Sequence, residues 1–155
     1  MKTILLISVC LQAALTIATA IARLCGRRAA VHVMPRWMQK MLRGYTGITL
    51  YPLGIYVQPE VWDAISWYNG EKGRWARKVI RHESIHVEQQ RETLGLFFLW
   101  YALEYIFRRM FADHRDAYHG ICFEAEAYAN DGDADYLERR MPFAFTDYFR
   151  QRNWV

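Results

Sequence analysis

Residues 82–90 read HESIHVEQQ: two histidines four apart, with a glutamate directly after the first. On a helix, positions i and i+4 lie one turn apart on the same face, so the imidazoles of His82 and His86 can reach one cation. Glu83 then points beside them, where it can take a proton from a metal-bound water. By chance alone the H-E-x-x-H pattern arises in about one chain per hundred of this composition, so placement has to decide. At about 100° per residue, Arg77, Arg81, Ser84, Glu88 and Arg91 share one face, which reads as the wet side. Trp75, Ala76, Val79, Ile80 and Val87 define the opposite, buried stripe, and His82, Glu83 and His86 fall within it. Burying three polar groups without partners is costly. A cation removes that cost; the metal-free alternative is a pair of core histidines satisfied by carboxylates.

Zinc in a hydrolytic site takes three protein ligands and keeps a fourth position open for water. No third histidine follows at the short metzincin spacing, because position 92 is Glu and position 89 is Gln. A later helix must supply the ligand, and FEAEAYAN, residues 123–130, offers Glu124 and Glu126. These lie about 200° apart on a helix, so only one can face the ion. Glu124 shares its face with Ala117, Gly120, Ile121, Ala127 and Tyr128, small enough in the main to let two helices approach closely. Glu126 shares a bulkier face with His119, Phe123 and Asn130. Glu124 is therefore the expected ligand, with Glu126 in reserve. Imidazole and carboxylate donors suit Zn2+ best among common divalent ions. Tyr118, His119, Tyr128 and His114 are near enough in sequence to donate to an oxyanion or to support a ligand, and the sequence does not choose among them.

HESIHVEQQ followed by FEAEAYA resembles the gluzincin metallopeptidases, which pair H-E-x-x-H with a downstream Glu, and most of all the minimal gluzincin-like domains. Glu124, Ala127 and Asn130, with Ala129 one place short, are similar to the E-x-x-A-x-x-A ligand helix of the CAAX prenyl-protein endopeptidases, in which the first Glu binds zinc. The resemblance covers roughly residues 48–145. It implies a zincin-like metallopeptidase core in which an edge strand, here within residues 48–57, holds an extended substrate by strand addition. That family often places an Asp four residues after the Glu ligand to orient a zinc histidine; here the position is Tyr128, and Asn130, Asp131 or Asp133 would have to substitute.

These residues need elements to hold them. A chain of 155 residues with 53% apolar side chains is sized for one core. Residues 3–22 are uncharged and mostly apolar, about the length that spans a bilayer. Arg23, Arg27 and Arg28 follow at once, which holds that flank in the cytoplasm. Residues 1–25 are thus expected as a membrane anchor or signal-like helix, 26–46 as a basic connector and 47–155 as the metallopeptidase domain, its body on the cytoplasmic side. All seven basic residues of positions 1–46 stand without one acidic residue, whereas the remainder has a net charge of −3. That asymmetry suits an anionic membrane surface; the basic groups are too spaced for a nucleic-acid partner, and none is expected. Three scattered cysteines give no disulfide framework.

GITLYPLGIYVQPE, residues 47–60, reads as two short strands or one bent edge strand interrupted by Pro52 and Gly54. Helices are expected over about 74–92, 94–111 and 116–130, with a turn and short helix in DGDADYLERR and an aromatic tail packed back on the body. The strongly apolar second helix is expected as a core helix, the alternative being one half sunk in a membrane surface. The fold class is α+β, mostly helical, with a small edge-strand sheet and an N-terminal apolar helix. The expected function is a small membrane-associated zinc metallopeptidase acting on peptide or protein substrates. A zinc-bound, non-catalytic membrane scaffold is the alternative, and a metal-free interaction protein a third.

Overall fold

The computed structural model describes residues 2–26, 28–67, 69–111 and 117–149, with the backbone alone for residues 2–11 and 67. Its elements are α1 (Lys2–Leu24), β1 (Val31–Val33), α2 (Arg36–Met41), β2 (Gly47–Leu50), β3 (Gly54–Val57), α3 (Pro59–Trp67), α4 (Glu71–Glu92), α5 (Phe97–Phe111), α6 (Cys122–Asn130), α7 (Tyr136–Arg139) and α8 (Phe145–Tyr148). The chain is mostly helical with one small sheet, an α+β arrangement.

The β-rich residues after Gly47 form two strands joined by a tight turn in which the Tyr51–Pro52 peptide is cis. β3 is central: β2 pairs with it antiparallel, Ile48 opposite Tyr56, and β1 pairs with it parallel, His32 opposite Tyr56. β2 is therefore an edge strand, as expected, but β3 is not. Residues 26–46, expected as a connector, supply β1 and α2. The three-residue strand VHV is too short to announce itself by alternation.

One apolar cluster joins the sheet to α3 and α4 through Tyr51, Ile55, Val57, Val61, Ala76 and Val87. A second gathers Phe97, Ile121, Cys122, Phe123 and Phe145 from α5, α6 and α8, so the aromatic tail does fold back on the body. α4 runs between the two. Its start, earlier than the expected Arg74, follows from Gly70 as N-cap and Glu71 in the first turn. Its end is set at Gly95, whose φ of +85° a side chain rarely adopts. A Cβ there would also lie 3.1 Å from the Thr16 backbone nitrogen of α1. Gln12 donates to the Gly95 carbonyl at 2.7 Å, so α1 is fastened to the α4–α5 junction.

Three expectations need correction. α6 begins at Cys122 rather than near 116, because residues 117–120 form a turn and Ile121 is extended. Trp75, expected on the buried stripe of α4, is 41% exposed. α5 is not a core helix: its inward side is narrow, and most of its large apolar residues are exposed. The anchor expected over 3–22 falls partly on side chains outside the described set; among the described residues no helix is long and apolar enough to cross a membrane.

Candidate metal centre

The two histidines of α4 and the glutamate of α6 meet. His82 Nε2 lies 3.2 Å from His86 Nε2 and 3.3 Å from Glu124 Oε2, and His86 Nε2 lies 3.4 Å from Glu124 Oε1. The two imidazole nitrogens thus face the two oxygens of one carboxylate, and one atom from each of the three residues lies within 4.8 Å of the others, close enough to hold a single ion. All three side chains are inside the protein. Glu124 Oε2 is buried and makes no hydrogen bond, its ion-pair contact with His82 Nε2 being 3.3 Å, so a cation placed there would meet an incompletely satisfied charge.

The contacts of the outer imidazole nitrogens orient the inner ones toward Glu124. His86 Nδ1 sits 2.7 Å from Gln89 Oε1, which can only accept, so Nδ1 keeps its proton and Nε2, facing Glu124, is the nitrogen that must give up its own before it can ligate. Gln89 is wholly buried. It donates in turn to the Phe123 carbonyl and to Glu126 Oε2, both at 3.0 Å. His82 Nδ1 faces Asp131 Oδ2 at 3.6 Å, and Tyr128 lies against the His82 ring with centroids 4.5 Å apart. Of Asn130, Asp131 and Asp133, Asp131 is the one placed beside the His82 ring.

The protonation pattern follows. Burial alone would lower the His86 imidazole, but the Glu124 carboxylate outweighs it, helped by Glu83, and holds His86 at about 9 in the metal-free chain. Burial pushes Glu124 up, yet the two imidazoles together bring it well below the usual carboxylate range. The cluster thus offers a carboxylate that stays ionised, and in His86 an imidazole that a competing cation would have to deprotonate.

Glu83 is buried beside the ligands, and burial raises its carboxyl above the ordinary value against the opposing pull of His86 and Thr49. Thr49 of β2 lies 2.7 Å from Glu83 Oε2 and 2.9 Å from the Glu83 carbonyl. Gly47, one residue pair earlier on the same strand, leaves the carboxyl room: a Cβ there would stand 2.7 Å from Glu83 Oε1. The other glutamine of the run, Gln90, donates to the Thr49 carbonyl at 2.9 Å and accepts from the Tyr51 N–H at 2.8 Å. The edge strand is therefore tied by side chains to the helix that carries Glu83.

Two clefts meet at His82 and Glu83, sharing Tyr45, Gly47 and Tyr118 as walls. One, about 430 Å³, runs past Lys78 and Asp131. The other, about 270 Å³, runs past Ile48, Phe97, Phe98 and Tyr101. Of the four groups offered as oxyanion donors, half-buried Tyr118 lines both clefts and Tyr128 the one past Lys78 and Asp131, whereas His119 is exposed, edge-on to Tyr118 and tilted against Tyr128. His114 lies outside the described residues. Burial and the Glu124 charge raise the Tyr118 phenol, so it stays protonated at neutral pH. Glu126 does not face the ligand atoms. It is buried with Arg140 Nε at 2.5 Å and the Tyr136 hydroxyl at 2.9 Å, and reaches the site only through Gln89.

Sequence reasoning missed Gln89, Gln90, Thr49 and Tyr101, whose hydroxyl donates to Glu124 Oε1 at 3.0 Å. A signal existed for the glutamines: they stand three and four residues after His86, on its buried face. None existed for Thr49 or Tyr101, which arrive from other elements. Comparisons with protein-family profiles, with curated proteins and with solved structures find no match.

Proposed function

We propose that the chain is a small zinc metallopeptidase with a zincin-like core, associated with a membrane through residues 3–22 and acting on peptide or protein substrates. The observation that carries this reading is the convergence of His82, His86 and Glu124, with one possible ligand atom from each inside 4.8 Å, beside the buried carboxyl of Glu83. His82, His86 and Glu124 would hold the ion, which when bound supplies Lewis acidity toward water and the scissile carbonyl.

The chain's own groups do the rest. Glu83, with a carboxyl that burial raises above its ordinary value, accepts the proton of the attacking water and returns it to the departing amine. Thr49 holds Glu83 Oε2 in position, so the other oxygen is the one that works. The Tyr118 phenol donates to the oxygen on which negative charge develops. β2 lines the cleft as an edge strand. Gln90 already occupies the Thr49 carbonyl and the Tyr51 N–H, so an extended substrate pairs at the Gly47 end.

A zinc-bound scaffold without activity would use the same ligands. Against it stands Glu83, a carboxyl kept buried and given space by Gly47 although no structural metal site needs it. Glu83→Gln separates the readings. Cleavage of casein or a peptide library should fall by at least about a hundredfold while zinc stoichiometry is unchanged. Full activity in the variant would refute the mechanism, and absence of any cleavage by the wild-type protein would favour the scaffold.

A further inference from the structure

α5 is built inside out. Two of its three charged residues, Glu104 and Arg108, are buried and paired at 2.7 Å, one turn apart. Glu104 also accepts from the Cys122 N–H at 3.0 Å, capping α6 from the interior. The opposite side carries Leu99, Leu103, Ile106, Phe107, Met110 and Phe111, each between 49% and 66% exposed. Taken at 100° per residue, the exposed arc runs about 240° around the helix, and Arg109 is the one charged residue on it. A helix on an aqueous surface shows the reverse pattern, and ionisable groups that turn inward to pair are what lipid-facing helices display.

We infer that the outward face of α5 is a lipid-contacting surface, a second point of membrane attachment besides residues 3–22. The width of the arc selects the occupant. A protein partner or a second copy covers one stripe of a helix, whereas acyl chains surround it. A groove of about 590 Å³ along this face, between Leu99, Leu103, Phe107 and Phe149, is open to such chains. Two further features agree. α1, uncharged over residues 3–22 in sequence, is fastened through Gln12 to Gly95, two residues before α5 begins, so the middle of one apolar element meets the start of the other. Arg23, Arg28, Arg36, Lys40 and Arg43 are all exposed and complement anionic headgroups. At 1.5 Å per residue the helix is about 22 Å long, shorter than the roughly 30 Å hydrocarbon core, so it lies in the interface rather than across it.

A polarity-sensitive fluorophore on a cysteine tests this in the full chain. Cys10 and Cys25 are replaced by serine, and Cys122, fully buried, is left in place. Probes go on Leu103→Cys and, in a second protein that guards against a misfolded first, on Ile106→Cys; exposed Arg77→Cys on α4 is the control. Adding phosphatidylcholine–phosphatidylglycerol vesicles should shift both α5 probes to the blue with several-fold brighter emission and leave the α4 probe unchanged. Unshifted α5 probes, in protein that co-floats with the vesicles, would overturn the inference. So would a blue shift that grows with protein concentration before vesicles are added, which would assign the face to a second copy.

Discussion

Gln89→Leu isolates the claim that a buried amide sets the metal affinity of His86. The substitution keeps most of the volume but removes every polar contact of the side chain. His86 Nδ1 loses its 2.7 Å acceptor, and Glu126 Oε2 and the Phe123 carbonyl each lose a 3.0 Å donor. Losing an outer partner of a metal-bound histidine typically weakens metal binding by about 10- to 100-fold, and the same loss is expected for zinc here. Leaving buried groups unpaired costs about 1–3 kcal/mol each. Glu126 keeps Arg140 and Tyr136, so roughly 2–4 kcal/mol in all is expected rather than the full sum. In a chain of this size that is a fall in Tm on the order of 10 °C. Zinc affinity is read by competition with a fluorescent chelator, and stability by thermal melting followed by circular dichroism. A folded variant that binds zinc within twofold of the wild type would refute the assigned role, since the imidazole would then hold its orientation unaided.

Two further outcomes follow from the same geometry. Gly47→Ala puts a methyl 2.7 Å from Glu83 Oε1, so the carboxyl must move while the zinc ligands need not. Peptide hydrolysis should fall by about a hundredfold with zinc stoichiometry and fold intact, measured by a peptide cleavage assay and metal analysis; unchanged kcat would mean that the Glu83 position is not critical. Metal binding should also depend on pH. The metal-free chain holds a proton on His86 up to about 9, above the ordinary histidine value, so the proton competes with zinc below that point and ceases to compete above it. Zinc affinity should therefore rise about tenfold per pH unit from 7 to 8 and level off beyond 9; a flat titration by calorimetry in that window would contradict the protonation pattern.

The candidate site was more legible in the sequence than its surroundings. His82, Glu83, His86 and Glu124 could be picked out because helical periodicity fixes which side chains share a face, and because polar residues on an apolar stripe demand a partner. Periodicity says nothing about which strand passes the far side of that stripe, so Thr49 and Gly47 went unnoticed as neighbours of Glu83. Asp131 was one of three options until the turn after α6 brought it to His82. The turn of residues 117–120 was read as helix because Asp116-Ala-Tyr-His carries no strong breaker before Gly120. β1 was hidden for another reason: a three-residue strand is stabilised by its partner β3, not by its own pattern. The exposure of α5 shows the limit of composition. An apolar helix demands burial, but the sequence does not say whether protein or lipid provides it.

Arg140 carries a consequence for how the protein comes apart. Its guanidinium is buried between two carboxylates, Glu92 at the end of α4 and Glu126 on α6, with contacts from 2.5 to 3.2 Å. The two helices that carry His82, His86 and Glu124 are thus riveted a second time, away from the candidate metal centre, by a residue belonging to the segment that leads to α8. Occupancy of the front and docking of that trailing segment should rise and fall together. Chelation would then be felt as quickened amide exchange around residues 136–148, and severing the rivet would be felt as a looser grip on the ion.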